Sequence, residues 1–375
     1  MRYLLGFLSG IMILTHLMEY RSMGIERSKD RFEDVVLVED KLGVKKLRLE
    51  NGLTVLLEEN HSAPVVSVNV WVKVGSVCEQ EGEYGLAHVH EHMVFKGTEK
   101  RSVGEIARVI EGDGGDINAF TSFTQTVYYV TIASRFLDTA LDVLSDAMGN
   151  ATFDAGELRK ELEVILEEIR RGEDIPSRVL SERLFAEAYR VHPFRRPIIG
   201  TRESVSSFTR EKVLNFYRKW YSPNNMVLVV VGDFDTDKVI PKIKEMFGTL
   251  KPKPVPDCRV PQEPPQNELR PFVFDKAVQE GYFSLAFHIP DIRHEDSPVL
   301  DVIAHILGGG ESSRLYRRIK EDRGLVTRIY SYSFTPKYPG LFVIGGTLDP
   351  DKARSALSEI LKETYRLKYE PVSLE

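Results

Sequence analysis

Cysteine is scarce in this chain of 375 residues, and that limits how the protein can be held together. Cys78 and Cys258 are its two cysteines, and they do not show the spacing of a metal site. The sequence therefore predicts neither a disulfide-stabilised protein nor one with cysteine-bound zinc, and the pair does not decide the redox compartment. Stability must come from a buried core, for which 42% hydrophobic residues over this length suffice in two ordinary domains.

Blocks of one charge sign are also absent. The formal net charge is -6, and the 50 basic and 56 acidic residues are spread along the chain without basic clusters. Because nucleic acids bind concentrated positive charge, the sequence predicts no nucleic-acid partner.

Long apolar runs are missing except near the N-terminus. An apolar run interrupted by glycine and serine extends from Tyr3 to Leu14, and residues 1–30 are interpreted as a hydrophobic or disordered extension. Membrane contact is expected, if at all, through residues 3–18. No Ala-x-Ala cleavage site follows, and the run is short for a spanning helix. The compartment stays open: periplasmic or membrane-anchored if residues 1–20 are a signal or anchor, otherwise cytoplasmic.

What the sequence does contain is a cluster of histidines in one predicted helix. At 100° per residue, Glu91 lies at about 300° and His92 at about 40° from His88, so all three side chains share a face. The order His-x-x-Glu-His inverts the commoner His-Glu-x-x-His, whose second histidine is replaced here by Val94. Two histidines beside a non-ligating carboxylate are typical of a hydrolytic zinc site.

The alternative interpretation of the cluster is a partly buried helix with structural histidines. His90 points about 200° away from His88 and is predicted to pack or to support a ligand rather than to bind metal.

A catalytic zinc ion needs a third protein ligand, and a long acidic helix predicted over residues 155–171 offers one. Glu161 and Glu168 are seven residues apart, hence within about 20° on one helical face. Glu168 is a candidate ligand with Glu161 supporting it, but the spacing does not separate Glu168 from Glu167. The alternative is a solvated acidic face neutralised by neighbouring arginines and lysine.

The order of predicted elements indicates an α+β fold of two repeated units, each a mostly antiparallel sheet packed with helices. We assign residues 31–250 to a catalytic domain, 251–270 to a Pro-rich linker and 271–375 to a second, homologous domain. In the second domain, residues 301–305 (Asp-Val-Ile-Ala-His) replace the metal motif and cannot bind zinc with the same geometry. This domain is therefore predicted to be non-catalytic.

The repeat also predicts that the second unit is truncated at its C-terminus. The first unit continues for roughly 90 residues beyond the helix ending at Met148, whereas the chain stops soon after Leu367. Pro371-Val372-Ser373 resembles the opening of the missing long helix. We expect either a fragment or a chain that a partner completes.

Three motifs together resemble the pitrilysin/insulinase family of zinc peptidases. They are Gly85 to Thr98 with the inverted motif, Asn118-Ala119-Phe120-Thr121-Ser122, and the glutamates of Glu161 to Glu168; further matches lie at His192-Pro-Phe, Tyr221-Ser-Pro-Asn-Asn-Met and Gly308-Gly-Gly-Glu-Ser-Ser-Arg-Leu. Within the family, the chain is similar to bacterial processing-type peptidases and to the mitochondrial processing peptidase β subunit.

The resemblance implies a zinc endopeptidase with one zinc ion per chain. It implies that His88, His92 and Glu168 bind the metal, that Glu91 is the general base for metal-activated water, and that Glu161 is a supporting acid. The expected substrates are extended peptides or unstructured protein segments.

The resemblance also implies that Asn118, Ala119 and Phe120 contact substrate from an edge strand that pairs with an extended peptide. From the residues alone, a loop cap is the alternative for Asn118. Relatives commonly carry an Arg and, seven residues later, a Tyr that assist substrate binding and the oxyanion. Here these positions hold Lys320, which offers charge, and Thr327, which is too short to act as a phenol.

The family resemblance further implies a homodimer, or a heterodimer with a homologous subunit. The rival function is a catalytically weak or inactive scaffold or substrate-binding subunit of such a dimer. Zinc in a purely structural role would need a fourth protein ligand near the two histidines.

Overall fold

The computed structural model describes residues 35–41, 43–370 and 372. The predicted N-terminal extension, its possible membrane contact and most of the predicted helix opening at 371–373 lie outside the described residues. Among the helices that are described, none combines the length and the apolar character needed to cross a bilayer.

A seven-stranded mixed sheet forms the centre of the first unit, which comprises Tyr189–Pro264 and the described residues up to Asp174. Its spatial order is β1-β2-β3-β7-β4-β6-β5, and all neighbours are antiparallel except the parallel pair β3 and β7. The mostly antiparallel sheet predicted from the sequence is confirmed. The strands are β1 (Val35–Lys41), β2 (Val44–Leu49), β3 (Thr54–Glu59), β4 (Val65–Val72), β5 (Asp116–Thr121), β6 (Thr126–Ala133) and β7 (Met226–Gly232).

The alternating pattern of β4 explains its central position. Val66, Val68 and Val70 are buried on one face of the sheet, and β4 pairs with β6 on one side and β7 on the other. Such period-2 burial is what β-branched residues favour in a sheet with one face against the core. A hairpin joins β2 and β3, and Gly52 in its turn adopts the positive φ of 85° that the turn requires.

Helices of the first unit pack against this sheet and against one another. α1, α2 and α3 contact the strands β5 and β6, and α4 contacts α1. This packing brings the histidine helix and the long acidic helix together, although over 60 residues separate them in sequence. The helices are α1 (Leu86–Met93), α2 (Glu105–Gly112), α3 (Leu137–Asn150), α4 (Ala155–Asp174), α6 (Arg202–Ser206), α7 (Arg210–Trp220) and α8 (Thr236–Phe247).

The second unit is built on a three-stranded antiparallel sheet, in the order β8-β10-β9. Its core includes Phe283, Leu315 and Ile344. The elements are α5 (Pro176–Ala188), β8 (Gly281–Ile289), α9 (Ser297–Gly308), a π-helical segment (Tyr316–Glu321), β9 (Arg328–Phe334), β10 (Gly340–Leu348) and α10 (Ala353–Arg366).

Helix α5 corrects the sequence-based division of the chain, which placed it in the first domain. In the structure it belongs to the unit that contains the described residues after Pro265, where it contacts β8. Its Phe185 ring lies 5.4 Å, edge to face, from Phe334 of β9. Sequence order assigns a helix to its neighbours in the chain, whereas its apolar face decides where it packs.

The two cysteines also correct a sequence prediction, because Cys78 and Cys258 form a disulfide with Cα atoms 5.1 Å apart. The separation of two residues along the chain does not show whether they are close in space. The start of the Pro-rich segment packs with the first unit, which extends to Pro264. There the carboxylate of Glu263 accepts hydrogen bonds from the backbone N–H groups of residues 190–192.

Candidate metal centre

Helix α1 carries the inverted motif and is held tightly at its start. Gly85 precedes the helix with φ 103°, and a Cβ there would lie 2.7 Å from the carbonyl oxygen of Ile199. Leu86, Ala87 and Val89 are fully buried. The helix is therefore fixed by its apolar face, which leaves the face with the motif side chains only partly covered.

Three donor atoms from α1 and α4 converge. The Nε2 atoms of His88 and His92 lie 3.8 Å and 3.7 Å, respectively, from Oε2 of Glu168. Each of the three residues offers one ligand atom, and these atoms all lie within 4.8 Å of one another. The packing of α4 on α1 thus supplies the third donor that the histidine pair lacks.

The structure separates Glu168 from Glu167, which the sequence left open. Glu167 points to solvent, where its carboxylate accepts hydrogen bonds from Arg170 at 2.6 and 2.8 Å. These bonds hold the pKa of Glu167 down at about 2. Glu168, one residue further, faces the two histidines. A rotation of about 100° per residue makes such neighbours diverge.

Glu161 lies behind His92 rather than beside the converging donors. Its Oε2 is 3.1 Å from Nδ1 of His92, and its Oε1 is 2.6 Å from Nζ of Lys96. A carboxylate on the far ring nitrogen orients the imidazole and makes its Nε2 a better donor. The role of Glu161 as a supporting acid, which the family resemblance implies, stays a prediction.

Glu91 lies on the same face of α1, with its Oε2 4.0 Å from Nε2 of His88. Burial raises the pKa of its carboxyl group above the ordinary range, while a hydrogen bond from Thr121 and the nearby His92 oppose the shift. Glu91 is thus next to the donor cluster but is not one of the three grouped donors, and its role as general base stays a prediction.

His90 lies on the opposite face of α1 and is fully buried. Its ring nitrogens are 2.6 Å from the carbonyl oxygen of Leu86 and 3.0 Å from that of Val213. Burial lowers the pKa of His90 to about 4, so the ring is neutral at pH 7. It packs in the core, as predicted from its angle on the helix.

The residues predicted to contact substrate lie on β5, the last strand of the seven-stranded sheet. Phe120 is 42% exposed and lies edge to face with Trp71, with ring centroids 6.1 Å apart. The Asn118 side chain accepts a hydrogen bond from the Ala119 N–H at 2.8 Å. Strand β5 reaches α1 through Thr121, whose hydroxyl lies 3.4 Å from the Ala87 carbonyl oxygen.

Lys320 belongs to the second unit, in the π-helical segment. Its ammonium group donates to the Tyr316 hydroxyl at 3.0 Å and lies 4.2 Å from the centre of that ring. Thr327 bonds to Glu280 and Thr347 within the same unit. Their predicted roles toward substrate stay predictions.

The donor set and its spacing suit zinc. Two imidazole nitrogens and a carboxylate oxygen are a common zinc triad, and bonds of about 2.0 to 2.2 Å to a tetrahedral ion separate ligand atoms by about 3.3 to 3.6 Å. The histidine nitrogens lie 3.8 and 3.7 Å from the Glu168 oxygen, close to that separation, and all three donor atoms lie within 4.8 Å of one another. Three protein donors are the number that catalytic zinc sites use, with water or substrate as the fourth ligand.

Three residues of this centre were missed by sequence reasoning: Lys96, Thr121 and Glu79. Lys96 follows His92 by four residues, and Thr121 directly follows the predicted substrate residues, so both had a signal in the sequence. Glu79 lies in a loop before the motif, and its contact with α1 is visible only in the folded structure.

Two family models match nearly the whole described chain. Residues 54–202 match insulinase (peptidase family M16), and residues 207–375 match the peptidase M16 inactive domain.

Named relatives and solved structures agree with these matches. The zinc protease YmxG of Bacillus subtilis (strain 168), named as uncharacterized, is 33% identical over 86% of this chain and 77% of its own length. The zinc protease PqqE of Helicobacter pylori (strain ATCC 700392 / 26695) is 31% identical over 86% of this chain and 74% of that protein. A crystal structure of a protease from Helicobacter pylori superposes with a TM-score of 0.84 at 29% identity, covering 88% of this chain and 81% of that one.

These likenesses agree with the pitrilysin/insulinase resemblance of the sequence and with a peptidase class that uses zinc. The chain belongs to the insulinase (M16) family of peptidases.

Proposed function

We propose that this protein is a zinc-dependent endopeptidase that cleaves extended peptides or unstructured protein segments. The observation that carries the proposal is the convergence of His88, His92 and Glu168, with Glu91 beside them on the same helix face. The names of the zinc protease relatives support the class of chemistry and the metal.

The proposed roles follow from the positions of the side chains. Zinc held by His88, His92 and Glu168, one ion per chain, would polarise the scissile carbonyl and acidify water. Glu91 takes one proton from the attacking water as its oxygen bonds to the carbonyl carbon. Glu91 then delivers that proton to the amide nitrogen as the C–N bond breaks, which leaves a carboxylic acid and an amine.

The position of Glu91 beside the donor cluster, on the same face of α1, suits a base that takes a proton from water and returns it to the amine. The hydrogen bond from Thr121 keeps the carboxylate directed along the face of α1. Glu161 holds the His92 ring in the tautomer with its proton on Nδ1, which leaves Nε2 free to bind metal.

The test is Glu91→Gln, with Glu99→Gln as the matched control on the exposed loop after α1. Glu91→Gln should retain about one zinc per chain by metal analysis and lose about 10²- to 10⁴-fold in kcat for a peptide substrate. Glu99→Gln should behave as the wild type. Cleavage by Glu91→Gln at the wild-type rate would dismiss Glu91 as the base.

Substrate pairing with the free side of β5 is the proposed mode of recognition. An edge strand offers backbone groups that an extended peptide can bind, and β5 packs beside α1. A cleavable peptide with alternate backbone nitrogens methylated should show a raised KM, because methylation removes strand-pairing donors. An unchanged KM for every methylated position would contradict strand pairing.

We propose in addition that the active form is a homodimer or a heterodimer with a homologous subunit. Lys320 and Thr327 at the positions of the family's Arg and Tyr support a need for residues from another chain. Sedimentation of the purified chain, alone and with a homologous subunit, should show a dimer that tracks peptidase activity. Full activity in a monomeric fraction would end this proposal.

The rival function, a scaffold or substrate-binding subunit, is favoured by the same two residues. It predicts that the wild-type protein binds zinc and peptide without turnover under all partner conditions. Measured hydrolysis that Glu91→Gln abolishes would exclude it.

A further inference from the structure

The N-terminus of the metal-binding helix is capped from outside the helix. Gly85, the residue that precedes α1, has no side chain with which to bind the first N–H groups. Glu79 supplies the cap instead: its Oε2 accepts from the Gly85 N–H at 2.9 Å, and its Oε1 accepts from the Ala87 N–H at 2.8 Å. A single carboxyl group therefore uses both oxygens to hold the start of the helix.

The loop that carries Glu79 is itself fastened. Cys78, the preceding residue, is joined to Cys258 by the disulfide. Arg196 lies 4.2 Å above the Tyr84 ring, and Ser204 donates a 2.6 Å hydrogen bond to the Tyr84 carbonyl oxygen. The loop that carries Glu79 is thus held on both sides of this residue, at Cys78 and at Tyr84.

Burial of the Glu79 carboxyl group disfavours its ionised form, which indicates that stability alone is not the role of this cap. Glu79 is 4% exposed, and burial raises its pKa to about 8, although the N–H groups of Ala87 and Gly85 and the charge of Arg196 oppose the shift. Because the folded-state pKa lies above that of an unfolded glutamate, this group favours folding most below about pH 4.5. Its contribution is lost as the pH rises toward 8.

The position of the cap matters because the metal ligand is the next residue. His88 follows Ala87 directly, and His92 lies one turn further along the same helix. A shift of the helix start moves both imidazoles relative to Glu168, which is carried by α4. Displacements of about 1 Å at such sites can cost about 10²-fold in rate.

We propose that Glu79 is a positioning residue of the metal centre, which sets the placement of His88 and His92 through the first backbone N–H groups of α1. The inference rests on the proposed zinc site, but it does not require that the protein hydrolyse peptides.

The experiment compares Glu79→Gln with Glu83→Gln, the same substitution four residues along the same loop. The amide of Glu79→Gln keeps the shape of the side chain, but its NH₂ group must face one of the two N–H donors. The Glu83 side chain instead accepts from the Gln80 N–H at 3.0 Å and does not cap α1. The readouts are the zinc dissociation constant by chelator competition, the visible spectrum of the Co²⁺-loaded protein, and kcat and KM separately.

Glu79→Gln should weaken zinc binding by about 10-fold or more, alter the Co²⁺ spectrum and lower kcat with little change in KM. Glu83→Gln should leave all of these unchanged. A purely structural role of Glu79 would lower the melting temperature but leave the metal affinity and the Co²⁺ spectrum of the folded protein as in the wild type. That result would overturn the inference.

Glu79→Asp keeps the inference testable if the glutamine variant does not fold. The shorter carboxyl group keeps two acceptor oxygens but reaches one N–H donor instead of two, so zinc affinity should fall between those of the wild type and Glu79→Gln. Wild-type affinity in Glu79→Asp would contradict the inference. If the wild-type protein binds zinc without cleaving peptides, the proposed peptidase function fails while this test remains decisive.

Discussion

At the scale of single residues, the candidate metal centre depends on the carboxylate behind His92. His92 is backed by Glu161, which in turn is paired with Lys96. Only 11% of the Glu161 side chain is exposed, so solvent does not substitute for this bond. A carboxylate in this position fixes the orientation and the tautomer of the imidazole ring. Its removal is therefore expected to weaken metal binding.

We expect Glu161→Gln to weaken zinc binding by about 10-fold, because an amide accepts less strongly from the His92 ring and its NH₂ group opposes Lys96. Chelator competition measures the change. Glu163→Gln, an exposed position on the same helix, is the control and should bind zinc as the wild type does. Equal zinc affinity in both variants would remove Glu161 from the centre.

At the scale of elements, a buried ion pair ties helix α3 to the loop that follows α1. Asp146 of α3 accepts from the Thr98 hydroxyl at 2.7 Å, from the Asn150 amide at 2.8 Å and from Arg101, which also pairs with Asp142. Burial alone would raise the pKa of Asp146, but these hydrogen bonds outweigh it and lower the pKa. The loop after the metal helix is therefore held by a group that must stay ionised.

Asp146→Asn should lower the free energy of unfolding by about 3 kcal/mol at pH 7, because Arg101 loses its buried partner. A lowered folded-state pKa stabilises the protein above the unfolded pKa of about 4 and loses this effect as the pH falls. The difference between variant and wild type should therefore shrink at about pH 3.5. Urea titrations at both pH values measure it.

Asp142→Asn is the matched control for that prediction, since Asp142 pairs with the same arginine but its side chain is 44% exposed. The Asp142→Asn substitution should lower the free energy of unfolding by less than about 1 kcal/mol at pH 7. An equal cost for both variants, or a difference that grows in acid, would contradict the assignment of Asp146.

At the scale of the whole molecule, the disulfide joins two residues of the first unit and closes a long covalent loop, across 180 residues. Closing so long a loop removes many conformations from the unfolded chain, which stabilises the fold by about 5 kcal/mol in the chain-entropy account. The same bond anchors the loop of Glu79 to the start of the Pro-rich segment.

Reduction of this bond should lower the thermal midpoint of the first unit by several degrees in differential scanning calorimetry. A phosphine reductant is preferred to a dithiol, since it does not compete for zinc. The Cys78→Ser, Cys258→Ser double variant should melt like the reduced wild type and should not respond to the reductant. Identical scans of oxidised and reduced wild type would show that the bond contributes no stability.

Much of the fold and of the site was predictable because it rests on local patterns. The alternation of β4, the Asn51-Gly52 turn and the face shared by His88, Glu91 and His92 are set by residues close in sequence. The seven-residue spacing of Glu161 and Glu168 predicted that they share a face of α4 for the same reason. Local periodicity settles which side of an element a residue occupies.

The other features of the fold and of the site depend on which elements pack against one another. The sequence by itself determined the metal motif and the acidic helix, because each follows from a local period. Only the tertiary structure decided that Glu168 and not Glu167 faces the histidines, that Cys78 meets Cys258, that α5 packs on the second sheet, and that Glu79 caps α1. Those choices are made by packing between segments far apart in the chain, for which spacing along the sequence carries no distance information.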